Sequence, residues 1–115
     1  MEKDEARPRL LVRLAQLEEE ARIGESDRAP VPLDQDKVGR LSRIDAMQVQ
    51  AMALAAQRRR QAEKDRIAAA LRRLDMDEFG ACTACGEDIA EGRLHNDPSV
   101  ALCIGCAGGK VEAGG

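Results

Sequence analysis

The sequence predicts a mainly α protein: an antiparallel two-helix (coiled-coil) hairpin joined to a small module pinned by four cysteines, with a short C-terminal helix. Three observations carry that reading. Two stretches with helical apolar spacing, about 3–24 and 35–78, flank a connection that contains prolines. All four cysteines fall in one late segment as two C-x2-C pairs. The chain has one Phe and no Trp or Tyr, so its Ala and Leu can fill narrow helix seams but not a bulky aromatic core. The organisation expected is a hairpin over residues 1–78 and a finger module with its tail over 79–115.

In the first helix Leu10, Leu14, Leu17 and Ala21 recur at spacings of four, three and four, which places them on one face. Leu11 and Val12 are read as broadening that face. Pro8 marks either a ragged start or a first-turn proline. Gly24 is read as the C-terminal cap. The stretch from Glu25 to Leu33 is the connection, where Pro30 and Pro32 remove backbone donors. With Asp34 as N-cap, Leu33 and Val38 form a hydrophobic staple, and Asp36 meets the helix dipole favourably in the first turn.

From Gln35 to about Met76 there is no proline, and a continuous helix of this length spans about 60 Å. Leu41, Ile44, Met47, Ala51 and Leu54 form its first apolar stripe, which lapses over Arg58-Arg59-Arg60 and resumes at Ile67, Leu71 and Leu74. Two helices with a proline-containing connection imply an antiparallel pair. The first helix is about half as long as the second. The Lys64-side half therefore packs on the cysteine module, stays partly exposed, or is covered by another molecule. Phe79-Gly80 is read as the helix end, with Gly80 left-handed, and a short helix is expected from Ile104 onward.

Cys82, Cys85, Cys103 and Cys106 give the pattern C-x2-C-x17-C-x2-C. This spacing suits one tetrahedral zinc ion, each pair forming a knuckle and the spacer folding one knuckle back onto the other. Two disulfides are the alternative. Four thiolates leave no open coordination position, so the ion is structural rather than catalytic. Gly86 and Gly105 suit knuckles whose backbone amides face the sulfurs. His95, the single histidine, is read as a surface or packing residue.

No enzyme constellation is present: no phosphate-cradling loop, no second histidine, no free nucleophile beside a base. The net charge of −3 disfavours a free-standing duplex-DNA binder. Arg58-Arg59-Arg60 point in three directions around a helix, and a solvated, salt-bridged face accounts for them. No signal peptide or membrane-length apolar run is seen, and cysteines in metal spacing fit a reducing cytoplasm. Asp34 and Asp36 sit at the hairpin apex, where a partner-binding role is compatible with capping.

Phe79-Gly80, Cys82-x2-Cys85-Gly86, Ile89, Arg93-Leu94, Pro98, Leu102-Cys103 and Cys106 together resemble the signature of the DksA/TraR zinc-finger family. The resemblance implies a bacterial transcription regulator that binds RNA polymerase rather than DNA. In that family the finger docks near the rim of the secondary channel, and the hairpin tip projects toward the active centre. Acidic tip residues there modulate initiation in the stringent response, often with ppGpp. Asp34 and Asp36 are the candidate tip residues, with Arg40 as a further contact, although the tip Asp-x-x-Asp-x-Ala of well-known members is not reproduced. Counting back from Cys82 without gaps puts the tip nearer Gly39 to Ile44, where no carboxylate lies. Asp97 and Ala107 occupy positions that are basic in ppGpp-responsive members, while Arg66 keeps one cation, so little ppGpp response is expected. An N-terminal helical segment of full-length members is expected to be missing. Two further readings stay open: a zinc-stabilised hairpin adaptor for another protein, and a zinc-ribbon nucleic-acid binder, which the charge disfavours.

Overall fold

The computed structural model describes residues 1–31 and 40–108. Among the described residues five helices follow in chain order: α1 (Lys3–Ile23), α2 (Glu25–Arg28), α3 (Arg40–Asp75), α4 (Glu91–Asn96) and α5 (Ile104–Ala107). One isolated antiparallel bridge, Ala81 with Asp88, is the β-pairing seen among the described residues. Two compact units divide the chain, one formed by Met1–Leu14 with Glu63–Gly115 and the other by Ala15–Ala62. Both long helices contribute to both units.

In the first unit, Ala6 and Leu10 of α1 and Ile67, Ala70 and Leu74 of α3 are buried. Their spacing of three and four puts each set on one helical face. Ion pairs bracket the seam: Lys3 with Asp77, Arg7 with Asp75 at 2.9 Å, and Arg13 with Glu63 at 2.7 Å. Partners rise along one helix as they fall along the other, so the two segments run antiparallel. The Lys64-side half of α3 thus shares one unit with both the start of α1 and the cysteine module.

α1 begins at Lys3 and passes through Pro8 instead of starting there. The ring removes one i→i−4 bond, but Ala6 and Leu10 on either side of it are fully buried and hold the turn in place. Leu11 and Val12 do not widen the seam: both are exposed.

Within the second unit, α1 ends without a left-handed glycine. Gly24 has φ −84° and ψ 5°, and the chain re-enters a helical turn, α2, where an irregular connection was expected. The capping is done by Arg28, whose Nη2 donates to the Ala21 carbonyl at 2.8 Å. A cation at a helix C-terminus satisfies an orphan carbonyl and complements the dipole. Gly24 leaves it room, since a Cβ there would lie 3.3 Å from Arg28 Nη1.

The apolar stripe expected for the start of α3 does not form its seam in this unit. Ile44, Met47 and Leu54 are 42%, 50% and 38% exposed, and Val49 and Met52 are exposed as well. Gln50, Ala53, Gln57 and Arg60, which share one face, are half-buried instead, together with Arg43, Ala55 and Ala56. Gln50 Nε2 donates to the Ala29 carbonyl at 2.9 Å, and Arg60 lies close to Gly24. The physical reason is geometric: among the described residues of this unit, the segment around Gly24 and Ala29 meets the polar and small face of α3. Of Arg58-Arg59-Arg60, the first two are exposed, while Arg60 donates to Gln57.

α3 stops at Asp75, and Gly80 is not its cap. Asp77 adopts φ +58°, with Asp77 N–H donating to Leu74 C=O and Glu78 N–H to Arg73 C=O. This pair of bonds is a Schellman motif with aspartate in the position glycine usually takes. The staple Leu33–Val38, the cap Asp34 and Asp36 lie outside the described residues.

Candidate metal centre

The four sulfurs converge. Cys82, Cys85, Cys103 and Cys106 place their Sγ atoms within 4.8 Å of one another, and all four are free thiols. Cys85 and Cys103 stand 3.8 Å apart, far beyond a disulfide bond. A tetrahedron with zinc–sulfur bonds of about 2.3 Å has edges of about 3.8 Å, so the donor set fits one zinc ion. Four thiolates would hold it, and the ion supplies structure, with no position left for water.

The two knuckles are built differently. In the first, Cys82 C=O accepts from Gly86 N–H at 2.9 Å, and Cys82 N–H donates to Glu87 C=O at 2.8 Å. Gly86 has φ +80°, a conformation that disfavours a side chain, which is why glycine follows the second cysteine. The second knuckle is a helical turn. Cys103 precedes α5, Ala107 N–H returns to Cys103 C=O at 2.8 Å, and Cys106 rides on the helix. Gly105 is therefore helical, with open space where a Cβ would go.

Beneath the sulfurs, buried Cys82, Ile89 and Leu94 form a small core with Phe79, Val100, Leu102 and Met1 packed against it. The left-handed Gly80 serves this core: its carbonyl accepts from Ile89 N–H at 2.8 Å. Leu94 is carried by α4, a six-residue helix the sequence reading did not assign. Its signal is weak, since Ala90 at its N-cap gives no side-chain bond and Gly92 lies inside it.

Backbone amides of Cys103, Cys85 and Ala84 donate toward the Cys82 sulfur and, against its burial, bring that thiol down to about 6. The Glu87 amide does the same for Cys85, but its contacts with Cys82 and Cys103 and its burial leave it raised overall. Cys106 is pushed up to about 12, first by Cys103 and then by burial and the other two thiols. Sulfurs this close cannot all ionise without a cation between them, which is the electrostatic signature of a metal cluster.

His95 stands apart from the sulfurs. It is half exposed, 3.6 Å from a Glu5 oxygen and 3.4 Å from one of Glu91. Asp97 is turned inward: its Oδ1 accepts from Ser99 N–H at 3.0 Å and Ser99 Oγ at 2.7 Å. Nearby, Arg13 grips Glu63 with two bonds, and this, despite some burial, holds the Glu63 carboxyl below its ordinary range. Arg66 lowers it further, while Asp97 opposes them. Ala107 ends α5 and is exposed. Arg40 is the first residue of α3; Asp34 and Asp36 lie outside the described residues.

Residues 78–112 match the model of the prokaryotic dksA/traR C4-type zinc finger. A curated relative, the RNA polymerase-binding transcription factor DksA of Haemophilus influenzae, is 49% identical over 41 residues. That match takes in 36% of this chain and 28% of the relative, so the chain spans less than a third of the length of this curated relative. Among solved structures, transcription factor DksA2 from Pseudomonas aeruginosa superposes with a TM-score of 0.76 at 24% identity, covering 96% of this chain and 84% of that one. That likeness establishes a shared fold.

Proposed function

Because this chain is a member of the DksA/TraR zinc-finger family, we propose that it is a bacterial, cytoplasmic transcription regulator that binds RNA polymerase through the secondary channel and modulates initiation. The observation that carries the reading is the finger at 78–112, whose four sulfurs converge on one point. Zinc acts as an anchor and performs no chemistry. The protein acts on its partner without catalysing a reaction of its own, and the acidic tip, Asp34 and Asp36 with Arg40, is the part that reaches the active centre.

Two features of the surface favour a protein partner over nucleic acid. Ile44, Met47 and Leu54 present apolar area on α3, and the net charge is −3. The same facts leave room for the adaptor reading, a hairpin that binds another protein. For ppGpp, little response is proposed. The positions expected to be basic hold Asp97, engaged with Ser99, and Ala107. Arg13 and Arg66 close to Glu63 are balanced by that carboxylate and by Asp97.

The test is retention of purified RNA polymerase by the zinc-loaded protein, followed by open-complex lifetime at a ribosomal promoter. Binding together with a shortened lifetime is expected, and Asp34→Ala with Asp36→Ala should remove the effect on lifetime while leaving binding. Failure to retain polymerase at low salt would sink this reading in favour of the adaptor. Retention with an unchanged lifetime would leave a channel occupant without tip activity.

A further inference from the structure

The segment Val100–Leu102 leads directly into the second knuckle, and its three consecutive carbonyls are each held by a different part of the finger unit. Arg73, in the last turn of α3, donates through Nη2 to Val100 C=O at 3.3 Å. Thr83, inside the first knuckle, donates to Ala101 C=O through its N–H at 2.9 Å and its Oγ1 at 3.2 Å. Arg93, on α4, donates through Nε to Leu102 C=O at 2.9 Å. Upstream the segment is fixed as well: Ser99 is buried and bonded to Asp97, and Val100 N–H donates to Asp97 C=O at 3.1 Å. The side chains of Val100 and Leu102 pack on the finger core.

We propose that Arg93, Arg73 and Thr83 are positioning residues of the zinc centre, clamping residues 100–102 so that Cys103 and Cys106 stand ready beside Cys82 and Cys85. The inference rests on the zinc reading and goes beyond it, because none of the three touches a sulfur-bound ion in any coordination sense. Groups that orient ligands without binding metal are worth about 10–100-fold in metal affinity. Arg93 and Thr83 act from within the finger. Arg73 acts from the long helix, so zinc binding and the seating of the α3 end on the finger become one linked event, reciprocal in free energy. Arg93 makes a charge-assisted bond of ordinary length and should carry the largest share, and Arg73, at 3.3 Å, a smaller one.

Arg72 supplies the control. It is the exposed neighbour of Arg73, it lines the same pocket beside Cys82 and Thr83 of the first knuckle, and no bond from it to the segment is seen among the described residues. A general attraction between cations and the thiolate cluster would make Arg72 and Arg73 equivalent; a clamp would not.

The experiment is competition for zinc between a chromophoric chelator and the full chain. Arg93→Gln is expected to weaken zinc binding about tenfold and Arg73→Gln about threefold, with Arg72→Gln unchanged. Arg93→Lys, which keeps the cation, must fall between Arg93→Gln and the unsubstituted protein. Amide exchange at Thr83, whose N–H bonds Ala101, should quicken in Arg93→Gln. Zinc affinity in Arg93→Gln equal to that of the unsubstituted protein overturns the proposal, as does an equal loss in Arg72→Gln and Arg73→Gln. Lower thermal stability with unchanged zinc affinity would make these residues merely structural, which also overturns it. An unsubstituted chain that binds no zinc would remove the metal reading itself.

Discussion

Two isoleucines on one helix give the sharpest test of how α3 is partnered. Ile67 is fully buried, whereas Ile44 is 42% exposed. The same substitution at both positions removes the same three carbons from the same kind of backbone. At about 0.8 kcal/mol per methylene, Ile67→Ala loses about 2.4 kcal/mol of burial, and the cavity left between α1 and α3 raises this to about 3–4 kcal/mol. Alanine returns only a few tenths of a kcal/mol through helix propensity, roughly 0.4 kcal/mol at each site. Ile44→Ala opens no cavity and loses only its covered fraction, so its net cost is under about 1 kcal/mol. Against a total stability of roughly 6–17 kcal/mol for a chain of this length, the first change is large and the second small. Urea unfolding of zinc-loaded protein, followed by far-ultraviolet circular dichroism, reads both. Equal costs at the two positions would show that the 44/47/51/54 face is buried, and the assignment of the seam to Gln50, Ala53, Gln57 and Arg60 would fall.

Three further outcomes are expected. Zinc uptake at pH 7 should release about two or more protons, because Cys85 and Cys106 are raised while Cys82, at about 6, is largely ionised already. Titration calorimetry in buffers of different ionisation enthalpy measures this, and release of one proton or none contradicts it. Glu63→Gln should cost roughly 1 kcal/mol at pH 7, a figure that allows for the solvent exposure of Arg13. Since the folded carboxyl lies below its unfolded value, that contribution is complete above about pH 4.3 and disappears as pH falls through the folded value. The gap between the two urea midpoints should therefore close in acid, and a gap that persists there refutes the assignment. At Asp77, φ +58° orders substitutions by left-handed tolerance. Asp77→Gly should be neutral or stabilising by up to about 0.5 kcal/mol even though the Lys3 pair is lost, and Asp77→Val should cost more than about 1 kcal/mol. Thermal melts in which valine is tolerated as well as glycine would rule the Schellman assignment out.

Local signals read well where a residue type has few physical options. Four cysteines at C-x2-C spacing have little else to do in common, and the sulfurs lie within reach of one ion. The α1 stripe is also legible, with Leu10 and Leu17 buried and Leu14 and Ala21 half-buried. The second half of α3 follows suit through Ile67 and Leu74. Elsewhere the local signal pointed to the wrong residue. Gly80 and Gly24 were the natural helix ends by composition, yet Asp77 makes the left-handed turn and Arg28 caps α1 from a turn away. Both ends were settled by hydrogen bonds that the residue types permit but do not demand.

What the sequence determined by itself was therefore the long elements and the metal chemistry: two long helices, a four-thiolate site, and a finger with a recognisable signature; the short helices α2 and α4 emerged only with the fold. Tertiary structure decided which face of each helix found a partner. Periodicity groups Ile44, Met47, Ala51 and Leu54 on one side, but burial depends on where another segment runs, and in their unit it runs past Gln50 and Arg60 instead. It also decided how the second knuckle is held. The acceptors at Val100, Ala101 and Leu102 are backbone carbonyls, which every residue possesses, so no letter of the sequence marks them. Only folding brings Arg73, Thr83 and Arg93 to those three consecutive oxygens, and with them joins the long helix to the metal centre.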